Sequence, residues 1–422
     1  MKSCCAALLM MGGLFGTTAL AEDIGAQDTG TENPDTENPD TENTGTGEDS
    51  VLDARLNSFL AGGYGPVTAP LDWFDPVDPV AGDFRGDPPV LAPDARTLPA
   101  GPLEAAAAYA ADRDSMALIV MRGDAVEFER YWQGAGRDSR FNPQSMSKTV
   151  LGLLVGAAIR DGHIGGVDDP VGRYVPALAA DPRGRITIGN LLQMSGGLSQ
   201  LTTSYEVTRD NPGVVQFFGT DFIAPIFTLD QADPPGSRWE YNNDETNLLG
   251  HLLTLATGTR YTAYLSETLW KPLGLKGAGM YMDRPGGAVM MSCCIFSRPM
   301  DFLKIGMLIR DRGRYDGRQI VPADWVDAMT APAETNKGYG YQIWLGDRAV
   351  SPVRPDGPPS LSWASEPYAA EDMIVMVGFG FQRVWIVPSL DLVILRAGRA
   401  WPDNWDESVI PNLLIRAARE PS

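Results

Sequence analysis

The stretch from Asn142 to Gly162 constrains the fold more than any other. Asn142-Pro143 joins a residue that caps helices to one whose missing N–H costs nothing at the first helical position. The chain then runs through Val150, Leu151, Leu153, Leu154, Val155, Ala157, Ala158 and Ile159 and stops at Asp161-Gly162. A helix apolar nearly all round has no solvent face and belongs inside a core. Two reactive polar residues, Ser145 and Lys148, sit in its first turns. Three residues apart, they share a face, and the free N–H groups of a helix start favour negative charge there. A hydroxyl with an amine to take its proton, and donors for an oxyanion, is what acyl transfer requires. Ser-x-x-Lys is short, so its weight comes from the predicted burial around it and from partners elsewhere in the chain.

At 422 residues, 44% of them hydrophobic, there is room for one large domain or two ordinary ones with a sizeable core. A net charge of −20 argues against nucleic acid and anionic membranes as partners. Residues 22–50 hold ten Asp or Glu and no Lys or Arg, so about half of that charge is local. Within them Thr31-Glu32-Asn33-Pro34-Asp35 repeats as Thr36-Glu37-Asn38-Pro39-Asp40, which reads as an extended, disordered acidic linker. Before it, residues 1–21 have Lys2, an apolar run and Ala19-Leu20-Ala21, the pattern of a secretory signal peptide cut after Ala21. No later stretch is long enough to span a bilayer. The expected mature protein is exported, periplasmic or secreted, with no stable membrane anchor. Its remaining cysteines, Cys293 and Cys294, make a poor metal site without a His neighbour. They read as two small buried residues or as a vicinal disulfide.

Residues 51–102, rich in Pro, Gly and Asp, read as an irregular extension lying on a main domain of residues 103–422. Met116–Arg122 and Ala125–Trp132 form a hairpin signal around Gly123-Asp124. After the buried helix, residues 199–237 look like a long irregular excursion, and loops of that length inside a domain are usually functional. Helices are expected at 245–256, ending at Thr257-Gly258, and at 261–271, 299–311, 322–329 and about 404–419. Met373–Val377, Arg383–Val387 and Leu392–Arg396 read as strands. The fold class is therefore α+β: an antiparallel sheet from both chain ends, flanked by helices, with a mostly helical insertion.

What would deprotonate Ser145? The chain has two histidines. His163 follows the far end of the helix, about 25 Å from Ser145 by helix rise, and His251 lies in a Leu-rich helix. No G-x-S-x-G elbow, metal cluster or phosphate loop stands out, and no cofactor is implied. That leaves Lys148, which burial would drive toward its neutral, basic form, and Tyr241 in Trp239-Glu240-Tyr241-Asn242-Asn243. Asn243 could bond a substrate carbonyl or amide.

Taken together, Ser145-Met146-Ser147-Lys148, Tyr241-Asn242-Asn243, Leu191-Leu192-Gln193-Met194-Ser195-Gly196-Gly197, Pro235-Gly236-Ser237-Arg238 and Lys271-Pro272-Leu273-Gly274-Leu275 resemble the serine β-lactamase and penicillin-binding-protein superfamily, in its class C and esterase-like branch. The resemblance covers roughly residues 103–420 and looks strongest toward the 6-aminohexanoate-dimer hydrolase group. It implies Ser145 as nucleophile, Lys148 and Tyr241 as the pair that accepts and returns its proton, with either as the base, and a small ester or amide as substrate. It makes Tyr205 a candidate contact to a substrate amide. It also implies an oxyanion hole built from the Ser145 N–H and the backbone near Gly380 and Phe381. The third motif departs from the pattern: Gly378-Phe379-Gly380-Phe381-Gln382 stands where the superfamily has a lysine that binds a substrate carboxylate. That counts against β-lactam and D-Ala-D-Ala substrates, and an arginine from elsewhere could replace the lost charge. Two alternatives stay open, a β-lactamase or D-Ala peptidase on this fold and an envelope sensor that does not turn over. The sequence sets neither the natural substrate nor the oligomeric state.

Overall fold

The computed structural model describes residues 47–422, except 66–67, 203–205, 347–362, 400–401, 403 and 421–422. The acidic repeat and the leader pattern lie outside the described residues, as does Tyr205. The chain opens with α1 (Gly47–Ala61), β1 (Val77–Val80), α2 (Ala100–Ala111) and the hairpin β2 (Ser115–Arg122) and β3 (Ala125–Tyr131). The helical middle comprises α3 (Ser147–Arg160), α4 (Ile188–Leu192), α5 (Pro212–Phe218), α6 (Asn243–Thr257) and α7 (Tyr261–Leu265). Next come β4 (Ala278–Tyr281), β5 (Ile295–Phe296), α8 (Pro299–Arg310), the short pair β6 (Arg314–Tyr315) and β7 (Arg318–Gln319), and α9 (Ala323–Met329). The chain closes with β8 (Trp344–Leu345), β9 (Ile374–Gly378), β10 (Gln382–Val387), β11 (Leu392–Gly398) and α10 (Val409–Arg419).

The main sheet has the order β3-β2-β11-β10-β9-β8 and is antiparallel throughout. β11 lies between β2 and β10, so the two ends of the chain do meet in one sheet, as the strand runs at both ends suggest. Period-two alternation sends Leu118, Val120, Trp385, Leu392 and Ile394 to one face, under α2 and α10. It sends Ile119, Met121, Val384, Ile386, Val393 and Leu395 to the other, where α8 and α3 pack. Gly306 lets α8 approach closely, since a Cβ there would stand 2.8 Å from Val384 and Val393 methyls. α3 is buried from Ser147 to Ala158, which fits its all-round apolarity.

Two expectations are corrected. The segment expected to be irregular before residue 102 begins with the helix α1, which reaches back into the expected linker. Leu52, Leu56 and Phe59, spaced four and three apart, give it one buried stripe. Arg55 fixes it by donating to the carbonyls of Gly219 (2.7 Å) and Asp283 (2.9 Å). The excursion at 199–237 also holds a helix, α5, with Asn211 as N-cap accepting from Gly213 N–H and Pro212 in the first turn.

Candidate active site

The nucleophile candidate sits one turn ahead of the α-helix. Asn142 Oδ1 accepts the Gln144 N–H at 3.0 Å, and Gln144 takes φ +53°. That left-handed residue prevents a continuous helix from Pro143, so Gln144–Met146 form a single 3-10 turn and α3 starts at Ser147. Asn142 was expected to cap the α-helix; its Oδ1 makes this local turn bond instead, and α3 starts at Ser147 with no side-chain cap. From Phe141 to Val150, Ser145 alone is not fully buried. The break in the helix thus presents one hydroxyl from an otherwise closed segment.

Lys148 Nζ lies 2.9 Å from Ser145 Oγ and donates to the Ser292 carbonyl at 2.8 Å. It is 2% exposed. Burial pushes its pKa well below the ordinary lysine value, and the negative charge of Asp244 acts in the opposite direction. Tyr241 arrives from the loop before α6. Its hydroxyl is hydrogen-bonded to Ser145, and its ring centroid lies 5.0 Å from Lys148 Nζ. Burial raises the phenol pKa above its ordinary value, while the bond to Ser145 lowers it. The ring is held by Trp344, stacked at 5.9 Å, and by the edge of Tyr339 at 6.4 Å. Ser145 and Lys148 therefore form one contiguous group with Tyr241, which follows Ser145 by 96 residues in sequence (241 − 145).

The two asparagines after Tyr241 divide their work. Asn242 caps α6, accepting from the N–H groups of Asp244 (2.9 Å) and Glu245 (3.3 Å) and donating to the Leu198 carbonyl. Asn243 lines the cavity beside Ser145, and its Oδ1 is buried without a hydrogen-bond partner. Asp244 and Glu245 point into the protein. Asp244 accepts from Leu201 N–H, and Glu245 accepts from Gly196 and Leu198 N–H. Burial pushes their pKa values up, to about 6 and about 7.

The opposite wall is the β9–β10 hairpin. Gly378 pairs with Gln382, leaving a turn of Phe379, Gly380 and Phe381, with the last two at φ +73° and +55°. Gly378 lies against the nucleophile turn so closely that a Cβ would come within 2.2 Å of the Pro143 carbonyl. Phe379 lines the cavity. The Phe381 side chain turns away and stacks on Trp405 at 4.9 Å. The carbonyls of this hairpin are bound from behind by two buried arginines. Arg396 donates to Gly380 (2.8 Å) and Phe381 (3.0 Å), and Arg383 donates to Gly378 and Gln382 (2.9 Å each) while pairing with Glu407. The sequence pointed to an arginine without saying which; these two stand behind the departed third motif, outside the cavity lining.

His163 and His251 have no part in this group: they pack edge-on to Tyr264 and Phe227. No cluster able to hold a metal occurs among the described residues. Cys293 and Cys294 are both buried and joined as a vicinal disulfide, with Cys293 in the cavity wall.

Residues 103–410 match the Beta-lactamase family model. The chain belongs to the Beta-lactamase family. Among curated relatives, a 6-aminohexanoate-dimer hydrolase of Paenarthrobacter ureafaciens is 26% identical over 305 residues, 68% of this chain and 73% of that protein. A Beta-lactamase of Pseudomonas fluorescens is 29% identical over 37% of this chain and 43% of its own length. Among solved structures, a candidate 6-aminohexanoate-dimer hydrolase from Bacillus anthracis superposes with a TM-score of 0.67 at 18% identity, covering 90% of this chain and 98% of that one. A penicillin-binding protein from Bacillus halodurans gives 0.54 at 15%, covering 74% and 99%. These structures share the β-lactamase/transpeptidase fold with this member of the family.

Sequence reasoning missed the arginine brace, the Ser292 carbonyl that holds Lys148, and the aromatic residues of α1 and α5 around the cavity. The Asn211-Pro212 pair before α5 was a legible helix-start signal. Arg383 directly follows the Gly378–Gln382 stretch and Arg396 lies on the next strand, but neither carries a sequence signal of its own.

Proposed function

We propose that this β-lactamase-fold hydrolase cleaves an ester or amide through an acyl-enzyme on Ser145. The observation that carries the reading is the contact of Ser145 Oγ with both the buried Lys148 amine and the Tyr241 hydroxyl. Desolvation makes the ammonium unfavourable, so Lys148 is available as the neutral base that accepts the Ser145 proton. As Oγ bonds to the substrate carbonyl carbon, the oxyanion takes hydrogen bonds from the N–H of Ser145 and from the Phe379-Gly380-Phe381 turn. The proton is then returned to the leaving group by way of Tyr241, and water deacylates Ser145. Asn243, its Oδ1 unpartnered beside Ser145, suits an N–H of an amide substrate. Tyr205 is a further candidate for that contact.

Among the described residues no Lys or Arg lines the cavity, which supports the hydrolase reading over a β-lactamase or D-Ala peptidase needing a cation for a carboxylate. Export is part of the proposal, and a disulfide in the cavity wall fits an oxidising compartment.

The test is intact mass after incubation with a fluorophosphonate probe, with p-nitrophenyl ester turnover in parallel, for the wild type and Ser145→Ala. Labelling and turnover that both vanish in the variant are expected. Labelling without turnover of any ester or amide would favour the sensor reading, and an unlabelled wild type would remove Ser145 as nucleophile.

A further inference from the structure

The cavity beside Ser145 has a volume of about 120 Å³, and half of its character comes from outside the motif-bearing segments. Phe59 of α1 and Phe74, both from the N-terminal extension, form one side; Val214, Phe217 and Phe218 of α5 and Met290 form another. Phe59 meets Phe218 edge-on at 5.3 Å, and Phe74 meets Phe217 at 6.4 Å. Among the described residues that line it there is no Asp, Glu, Lys or Arg.

Two polar side chains in the lining are already committed. Gln216 Nε2 donates to the Phe222 carbonyl, and Asn247 Oδ1 accepts the Ser292 N–H. Ser145, Tyr241 and Asn243 stand at the polar end, so a substrate has one end to react there and one end to bury among rings.

We propose that the N-terminal extension completes an acyl pocket for a short, neutral, unbranched acyl group of about four to six carbons, a size set against the roughly 150 Å³ apolar cavity that accommodates benzene. This rests on the Ser145 reading and specifies its substrate. The acyl group, not the leaving group, takes the pocket because the leaving group must depart to admit water while the acyl chain stays bonded to Ser145. A terminal charge on that chain would be buried without a partner. Each methylene that enters gains about fourfold in kcat/KM from its removal from water. The gain ends when the cavity is full.

The experiment is a p-nitrophenyl series from acetate to decanoate plus the succinate half-ester, run on the full chain, with fluorophosphonate labelling of Ser145 as a separate check. The expected kcat/KM rises at least tenfold from acetate to a maximum between butyrate and hexanoate, then falls, and the succinate half-ester lies at least tenfold below butyrate. Phe59→Leu moves the maximum to longer chains, and Val214→Phe lowers the hexanoate-to-acetate ratio at least tenfold. A flat series, a preference for the succinate, or ratios in both variants equal to wild type would overturn the pocket while labelling still upholds Ser145. Failure of labelling would instead sink the reading beneath it. The wild-type series decides the matter even if Phe59→Leu does not fold.

Discussion

Lys148 and Arg396 are both buried cations, 2% and 0% exposed, on opposite sides of the same site. Among the described residues neither has a carboxylate within ion-pair distance. Desolvation lowers both pKa values, Lys148 well below the ordinary lysine range and Arg396 to about 9. The outcomes differ because the chemistry of the two cations differs. On the proposed mechanism, an ammonium with two polar neighbours, its charged form disfavoured by burial, serves as a base. A guanidinium that spreads its donors over Ser115 Oγ and the carbonyls of Gly380, Phe381 and Arg113 still carries its charge at neutral pH, and so braces the hairpin. On that proposal, equal burial makes one cation a reagent and the other a scaffold.

The largest effect expected from breaking this contrast is at Lys148. Lys148→Met keeps the bulk and removes the base, and should lower kcat/KM by about 10³-fold or more with folding retained. Lys148→Arg should not rescue it, because a guanidinium keeps its charge at neutral pH. Recovery of most of the activity in the arginine variant would show that positive charge, not basicity, is needed there.

Arg396→Met is expected to act first on stability. It leaves three carbonyls without their donor, and urea unfolding should show a loss of about 2–4 kcal/mol. The freed turn should also cost at least tenfold in kcat, with a smaller change in KM. An unchanged kcat would mean that the hairpin holds its shape without the arginine.

The smallest expected effect is a shift in pH dependence. The charge of Asp244 raises the Lys148 pKa, so Asp244→Asn should lower it further. The acidic limb of the kcat/KM profile should then move to lower pH, the base being neutral over a wider range. A move to higher pH would contradict the electrostatic account of Lys148.

The same contrast shows what a sequence can and cannot disclose. Ser145 and Lys148 were legible because one helical turn fixes their spacing, and Tyr241 because the turn and cap signals around it place it at the start of α6. The sheet was legible because short β-branched, apolar runs bounded by turn residues stand at both ends of the chain. Arg396, Arg383 and Glu407 were not, since their meeting depends on the β10–β11 register and on the approach to α10. Phe59 and Phe74 were hidden for a different reason. They lie before the recognisable domain, in a segment whose Pro and Gly content masked the stripe Leu52, Leu56 and Phe59.

The most direct measurement is the rate at which a fluorophosphonate modifies Ser145, followed by intact mass from pH 5 to pH 10.5, in the wild type and in Lys148→Met. A base depressed by burial predicts a wild-type rate that levels off well below the ordinary lysine pKa of about 10.4, and a much slower reaction in the variant. A wild-type rate still climbing through pH 10, or a variant that reacts as fast as the wild type, would contradict the assignment of Lys148 as the neutral base.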